Sequence, residues 1–211
     1  MNKQLEILIE RYPALAVCAN DINIAFEYMK ESYENGGKLL VAGNGGSAAD
    51  SEHIVGELMK GFKRPRKLTD DERNALIGVN EELGTVLADN LQGALPAIAL
   101  DGHPALTTAY MNDCEPLLAF AQQLNGYGKS GDVFLGISTS GNSKNVLYAA
   151  TVAKAKGIKV VGLTGQKDSK LKDLADVTIQ VPQTETYMIQ EYHLPVYHCV
   201  CLMLEDYFFA D

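Results

Sequence analysis

Gly136-Ile-Ser-Thr-Ser-Gly-Asn-Ser143 stands between an apolar run, Asp132 to Leu135, and a helical pattern that begins at Asn142 and extends to about Lys156. Small hydroxyl side chains at a strand-to-helix turn leave the backbone N–H groups of the helix start accessible to an anion. The stretch therefore predicts a strand, a phosphate-binding loop and a helix in succession. A simple helix-capping loop is an equally good interpretation of these residues alone, because Ser and Asn are preferred N-caps.

Strand-like and helical patterns alternate five times along the chain. Besides the run before Gly136, the predicted strands cover residues 38–42, 94–100, 158–164 and 177–181. This alternation is typical of a parallel sheet with helices on both faces. We therefore predict an α/β fold, a three-layer αβα sandwich built on a five-stranded parallel sheet.

Helical patterns fill the rest of the chain. Residues 3–35 predict an N-terminal hairpin of two helices that is broken near Tyr12-Pro13. Residues 63–92 predict a helical insertion, because a basic cluster at 63–67, interpreted as a solvated loop, is followed by the capping-box sequence Thr69-Asp-Asp-Glu72 and one long apolar-periodic run. Further helices are predicted at about 48–59, 104–111, 115–124 and 187–209. No linker or repeat divides the chain, so we predict a single domain over residues 1–211.

Charge and composition exclude several classes of function. The chain has a net charge of −9 and no basic stripe, which argues against a nucleic-acid partner. No apolar run reaches the roughly 18 residues of a membrane span, and the N-terminus does not resemble a signal peptide. The four cysteines lack the spacing of a zinc motif, so we expect reduced thiols in a cytoplasmic protein.

A second loop of small residues, Gly43-Asn-Gly-Gly-Ser47, follows the first predicted strand, and we call it the glycine loop. It lacks the Gly-Lys-Ser/Thr of a P-loop and does not fit Gly-x-Gly-x-x-Gly. The helix after it carries His53 and Glu57 on one face, since they are four residues apart. Such a pair can bind a metal or flank a substrate, although a surface His–Glu contact explains it as well.

Parallel strands bring their carboxyl ends to one edge of the sheet, which is where ligands bind in such folds. The glycine loop, Asn112-Asp113 and the hydroxyl residues of 138–143, which we call the phosphate loop, are all expected at that edge.

Together, the glycine loop and the phosphate loop, about ninety residues apart, resemble those of the sugar isomerase (SIS) domain family. Within it the chain is similar to the phosphoheptose isomerases. The resemblance extends to Asn112-Asp113, to the His53/Glu57 pair and to Ile189-Gln-Glu-Tyr-His193 with His198 downstream. It covers nearly the whole chain apart from the insertion, and it implies a flavodoxin-like fold.

The resemblance also implies roles for individual residues. Those expected to contact the substrate are Asn44, Gly45, Gly46, Ser47, Asn112, Asp113 and Gln190. Those expected to hold its phosphate are Ser138, Thr139, Ser140 and Ser143. Those at the zinc-ligand positions of the family are His53, Glu57, Gln190 and His198. The family further implies a homotetramer with active sites at subunit interfaces.

The residue types agree with the chemistry that the resemblance implies. An aldose–ketose isomerase moves a proton between adjacent carbons through an enediol, which needs a base at carbon and an acid at oxygen. We expect Glu57 to be the base and His198 the acid in converting sedoheptulose 7-phosphate to D-glycero-D-manno-heptose 7-phosphate. A zinc ion would polarise the carbonyl or order the site.

Gln190 and His198 are eight residues apart, which is ~12 Å along a regular helix and too far for one zinc ion. Gln190 precedes the helix, or Pro195 bends it, or the two residues serve the sites of different subunits. Met188 stands where the family pattern predicts a basic residue.

Two alternatives to an isomerase remain. Some SIS proteins bind a replication-initiation protein or sense a phosphosugar to regulate transcription. We expect such a binder to be free to lose Glu57 and His198, and a transcription regulator to carry a helix-turn-helix appendage that this chain lacks. A pure oligomerisation scaffold leaves the phosphate loop unexplained.

Overall fold

The computed structural model describes residues 2–210. Within them, five parallel strands form one sheet in the order β2-β1-β3-β4-β5. Their bounds are β1 Leu39–Ala42, β2 Ala97–Ala99, β3 Val133–Ile137, β4 Lys159–Gly165 and β5 Val177–Val181. The predicted five-stranded parallel sheet is therefore confirmed, with every strand inside or within two residues of its predicted run.

Ten α-helices and two 3₁₀ segments, Pro13–Cys18 and Pro116–Leu118, make up the rest of the described fold. The helices are α1 Lys3–Arg11, α2 Ala19–Glu34, α3 Gly46–Met59, α4 Asp70–Val79, α5 Glu81–Asn90, α6 Pro104–Asp113, α7 Ala119–Tyr127, α8 Lys144–Ala155, α9 Lys170–Leu174 and α10 Thr186–Phe208. Over residues 2–210, no helix has the length and apolarity that a membrane crossing requires.

Alternate residues of the strands belong to two separate cores, one on each face of the sheet. Leu39 and Val41 of β1 pack with α1, α2, α3 and α10, whereas Leu40 packs with α7 and α8. This alternation follows from the period of two in a strand. The three-layer αβα sandwich is confirmed, and so is the N-terminal helical hairpin, whose two helices are separated by the 3₁₀ segment that begins at Pro13.

Helices α3 and α8 follow the neighbouring strands β1 and β3 but pack on opposite faces of the sheet. The loops that lead into them therefore diverge at the carboxyl edge. This is the switch point of an open parallel sheet, and it creates the crevice in which such folds bind ligands.

The insertion at 63–92 is helical, but the single long helix that the apolar pattern predicted is wrong. Asn80 has extended backbone angles (φ −158°, ψ 122°) and ends α4, while its side chain accepts the Leu83 N–H and caps α5. A capping box of Thr69 and Glu72 starts α4 as predicted. The result is a hairpin of two helices, and its apolar side chains are largely exposed, including Val79 at 88%.

Strand β2 is shorter than predicted, because Pro96 lacks the N–H that a longer strand would need. Helix α6 is longer than predicted and includes Asn112 and Asp113 in its last turn.

A buried ion pair joins α3 to α10. Arg66, only 1% exposed, donates from Nε to Glu205 Oε1 at 2.9 Å. Its other nitrogens donate to the carbonyl oxygens of Leu58 at 2.6 Å and of Glu57 at 2.9 Å, at the end of α3. These bonds satisfy carbonyl groups that have no partner within a helix. We call this arrangement the Arg66–Glu205 clamp.

The other side of the clamp holds the start of the insertion. Glu205 accepts the backbone N–H groups of Phe62 at 2.8 Å, Lys63 at 2.9 Å and Arg64 at 3.2 Å. Arg64 also pairs with Asp206 at 2.8 Å. The interpretation of the 63–67 cluster as a solvated loop is therefore wrong for Arg66, because a buried carboxylate 139 residues away neutralises it.

Replacement of Glu205 by Gln should lower the free energy of unfolding by about 3–5 kcal/mol, because it leaves the Arg66 charge buried without a counter-charge. Urea unfolding of Glu205→Gln beside Asp206→Asn measures this. Asp206 is the matched control, since its pair with Arg64 is partly exposed and should contribute less than about 1 kcal/mol. Equal losses of unfolding free energy in the two variants would show that the Arg66–Glu205 clamp stabilises the protein no more than the partly exposed Arg64–Asp206 pair does.

Candidate functional site

The glycine loop and the phosphate loop are joined by a reciprocal pair of side-chain amides. Asn44 Nδ2 donates to Asn145 Oδ1 at 3.0 Å, and Asn145 Nδ2 donates to Asn44 Oδ1 at 2.7 Å. Asn44 was predicted to contact substrate, whereas Asn145, in the first turn of α8, was not predicted at all. The pair closes the crevice between β1 and β3.

In the phosphate loop, the Ser138 and Ser143 hydroxyls bond to each other, and the Ser140 hydroxyl accepts the Asn142 N–H at 3.2 Å. Ser143 is the N-cap residue of α8, yet its side chain makes no capping hydrogen bond; its Oγ lies 3.0 Å from Ser138 Oγ. Gly141 has a φ of +63°, and a Cβ there would collide with Ser169. A simple helix cap, the alternative left open by the sequence, does not account for this arrangement.

A cavity of about 180 Å³ opens beside the phosphate loop. Thr139, Ser140 and Asn142 form one wall, and Lys167 after β4 and Gln183 after β5 lie on others. Sequence reasoning missed Lys167 and Gln183, although both directly follow the carboxyl ends of strands. Lys167 provides a positive charge that the hydroxyl groups of the loop lack.

Gln190 packs directly against the glycine loop. A Cβ on Gly46 would lie 2.6 Å from Gln190 Nε2, so a larger residue there would displace the Gln190 side chain from this position. Gly45 has a φ of +59°, which favours glycine as well. Ser47 is buried at the start of α3. The structure thus brings together the predicted substrate residues Gly45, Gly46, Ser47 and Gln190.

The predicted base and acid meet at His53. His53 Nε2 lies 3.1 Å from Glu57 Oε1 and 3.5 Å from His198 Nε2. Glu57 projects from the last turns of α3, and His198 from the middle of α10. Lys60 Nζ lies 3.5 Å from Glu57 Oε2, which places a cation on the far side of the carboxylate.

Burial lowers the pKa of His198, and the neighbouring His53 lowers it further, while Glu57 acts in the opposite direction. A neutral imidazole carries one donor and one acceptor nitrogen, which suits proton transfer. His193, five residues earlier on α10, is fully buried, and burial lowers its pKa to about 4. It therefore remains neutral in the core, and we assign it no chemical role.

Gln190 does not join this cluster. It lies inside α10, which continues without interruption through Pro195 to Phe208, so the idea that Gln190 precedes the helix is wrong. Gln190 contacts Gly46, whereas His198 contacts His53. Among residues 2–210, no group of three or more His, Cys, Asp and Glu side chains is arranged to hold a metal ion.

The four predicted zinc ligands suit a zinc ion only in part. Imidazole nitrogen and carboxylate oxygen are ordinary zinc ligands, and three of the four predicted ligands, His53, Glu57 and His198, are neighbours. Gln190 lies eight residues before His198 on α10, which is ~12 Å along the helix axis. A site with all four ligands is therefore not assembled within one chain.

Asn112 and Asp113 lie in the last turn of α6, which packs against α7, and they are exposed and hydrogen-bonded to each other at 2.9 Å. Their contact with substrate stays a prediction. Asp101, directly after β2, reaches the carboxyl edge instead, and its Oδ2 accepts the Gly43 N–H at 3.4 Å. Burial raises the pKa of Asp101 to about 6.

Comparison with known proteins identifies the family. Residues 14–72 and 78–165 match the family model of the SIS domain. The chain belongs to the SIS domain family. A curated SIS relative, the phosphoheptose isomerase of Aneurinibacillus thermoaerophilus, is 40% identical over 181 residues, 86% of this chain and 78% of the relative. The phosphoheptose isomerase of Akkermansia muciniphila is 33% identical over 205 residues, 97% of this chain and 95% of the relative.

Solved structures of SIS proteins agree. The phosphoheptose isomerase of Francisella tularensis has a TM-score of 0.76 at 30% identity and covers 97% of this chain and 93% of its own. The phosphoheptose isomerase of Neisseria gonorrhoeae has a TM-score of 0.74 at 30% identity, and the match covers 95% of this chain and 94% of its own. The chain is therefore an isomerase with the SIS fold.

Replacement of Asn145 by Ala should loosen the glycine loop, because it removes both hydrogen bonds to Asn44. Amide hydrogen exchange of residues 43–47 should become faster, since the loop would open locally at lower free energy. Thr151→Ala is the matched control on the same helix, because its hydroxyl bonds only to the Leu147 carbonyl. Unchanged exchange in Asn145→Ala would mean that the amide pair does not hold the loop.

Proposed function

We propose that the chain is a phosphosugar aldose–ketose isomerase that interconverts sedoheptulose 7-phosphate and D-glycero-D-manno-heptose 7-phosphate. The observation that carries the proposal is the convergence of the Glu57 carboxylate and the His198 imidazole on His53. A carboxylate and a neutral imidazole within reach of one another are the pair that enediol chemistry needs. The names of the relatives, phosphoheptose isomerases, support the choice of substrate.

In this mechanism the Glu57 carboxylate removes the proton from C1 of the ketose. His198 donates a proton to the O2 carbonyl oxygen, which gives the enediol. Glu57, whose carboxyl proton exchanges with solvent, then donates a proton to C2, and His198 recovers a proton from O1, which becomes the aldehyde oxygen of the aldose. The lowered pKa of His198 keeps the imidazole neutral, so the same side chain can donate and accept.

The phosphate group would lie in the cavity beside the phosphate loop. Backbone N–H groups at the start of α8 and the Thr139 and Ser140 hydroxyls suit an anion there. Lys167, which also lines this cavity, would add a charge-assisted bond.

The glycine loop and Glu57 of the acid–base cluster lie at opposite ends of α3 within one chain. Glu57 lies eleven residues beyond Gly46 in α3, which corresponds to ~16 Å along the helix axis. We propose that each active site combines the loops of one subunit with the acid–base cluster of another. This arrangement makes a homo-oligomer, such as a tetramer, a condition of activity.

Zinc is part of the proposal. His53, Glu57 and His198 would hold it, with Gln190 contributed across the subunit contact. When bound, a zinc ion would supply Lewis-acid polarisation of the sugar carbonyl.

Turnover of sedoheptulose 7-phosphate by Glu57→Gln and His198→Ala tests the chemistry. Each variant should lose about 10²–10⁴-fold in turnover number, which is the range for a general acid or base. Glu52→Gln, an exposed carboxylate on the same helix, is the matched control and should keep full activity. The same assay with and without a chelator tests zinc. A folded, metal-supplied wild type that binds the phosphosugar without converting it would favour the non-catalytic alternative.

Mixing inactive subunits tests the shared site. Glu57→Gln removes the base, and Ser140→Glu places a carboxylate that repels phosphate in the loop. Each variant alone should be inactive, whereas oligomers that contain both should recover activity, because some sites then combine two intact halves. Activity that does not return in mixed oligomers, whose formation is verified by two affinity tags, would contradict a site shared between subunits.

A further inference from the structure

Residues 166–169 follow β4, and we call them the lysine loop; its first three residues line the cavity beside the phosphate loop. The chain is bonded to the phosphate loop on either side of this segment. Before it, the Gly165 N–H donates to the Thr139 carbonyl oxygen at 3.1 Å, and after it the Leu171 N–H donates to the Gly141 carbonyl oxygen at 3.0 Å. Both ends of the lysine loop are therefore fixed to the loop that is proposed to hold the phosphate group.

Lys167 is the cation of the lysine loop. Within residues 2–210 its ammonium group makes no ion pair. The neighbouring Asp168 also lines the cavity, but its carboxylate pairs with Lys172 Nζ at 2.7 Å. The charge of Lys167 is thus available to an anion in the cavity, and a cation that meets a phosphate oxygen forms a charge-assisted bond. The position of Lys167 therefore affects how tightly the cavity can bind phosphate.

A side chain of the neighbouring strand holds Lys167 in place. Gln180 of β5 lies in register with Thr164 near the end of β4. Its Nε2 donates to the Lys167 carbonyl oxygen at 3.1 Å and to the Gly165 carbonyl oxygen at 3.4 Å. In the part of the chain that the structure describes, the Lys167 backbone makes no other hydrogen bond. One side chain therefore fixes the middle of the lysine loop, whereas the phosphate loop fixes its ends.

We propose that Gln180 is a positioning residue of the phosphate site, which holds the Lys167 backbone so that the ammonium group can bond the phosphate of the substrate. Gln180 is not among the residues that line the cavity, so it acts through Lys167 rather than by touching the substrate. The inference rests on the proposed function for the site of the phosphate group, but phosphate affinity can be measured without turnover.

Titration of the full chain with inorganic phosphate, followed by phosphorus-31 NMR, measures the affinity of the site. Gln180→Met keeps the length of the side chain but removes the donor, and it should weaken phosphate binding about threefold to tenfold, the range for one lost hydrogen bond. Gln180→Leu is a second variant without the donor, for use if Gln180→Met does not fold. Thr178→Val is the matched control and should keep the wild-type affinity, because Thr178 lies on the same face of β5 and its Oγ1 makes no hydrogen bond.

A double-mutant cycle separates positioning from a merely structural role. Lys167→Met removes the charge and should weaken phosphate binding about tenfold to hundredfold, the range for a hydrogen bond to a charged group. Adding Gln180→Met to Lys167→Met should cause no further loss, because the two residues act through the same bond. A full additional loss in the double variant overturns the proposal, as does wild-type affinity in Gln180→Met or a wild type that binds no phosphate.

Kinetics with sedoheptulose 7-phosphate gives a second readout. Gln180→Met should raise KM by the same factor and leave the turnover number unchanged, because the phosphate contact contributes equally to the ground state and the transition state. A lower turnover number with an unchanged KM would contradict a role in phosphate binding. A wild type whose phosphate affinity depends on Gln180 as expected, but which does not convert the sugar, would refute the proposed function and leave this inference intact.

Discussion

The Arg66–Glu205 clamp is the interaction on which the site depends. The proposed acid–base groups, Glu57 and His198, project from α3 and α10, and the clamp joins these helices at their carboxyl-terminal halves. Arg66 bonds the last carbonyl groups of α3, and Glu205 of α10 accepts both the guanidinium and three backbone N–H groups. Buried charges are tolerated only when paired and hydrogen-bonded in this way. The contact between His53 and His198 joins the same two helices.

Much of the fold could be predicted because its signals are local. All five strands are short buried runs between helical patterns, and a right-handed succession of such units leads to a parallel sheet. The errors arose where a single residue or a distant partner decides the outcome. Asn80 breaks the insertion into two helices although the apolar period continues through it. The sequence around Arg66 predicts a solvated charge, because its partner Glu205 lies far along the chain.

The sequence named many residues of the candidate site, but it did not predict the contacts between them. The glycine and phosphate loops, His53, Glu57 and His198 were named, and the structure places the last three together. Asn145 and Lys167, which lie at these loops, were not predicted, because a tertiary contact leaves no periodic signal in the sequence.

The measurement that tests the account most directly is NMR of sedoheptulose 7-phosphate incubated with the enzyme in D₂O. The mechanism predicts interconversion with the manno-heptose phosphate and deuterium from solvent at C2 of the aldose, because the proton that Glu57 removes from C1 exchanges with solvent before a proton is returned. Interconversion without deuterium at either carbon would contradict the enediol mechanism. A folded, metal-supplied enzyme that leaves the sugar unchanged would contradict the isomerase assignment of this site.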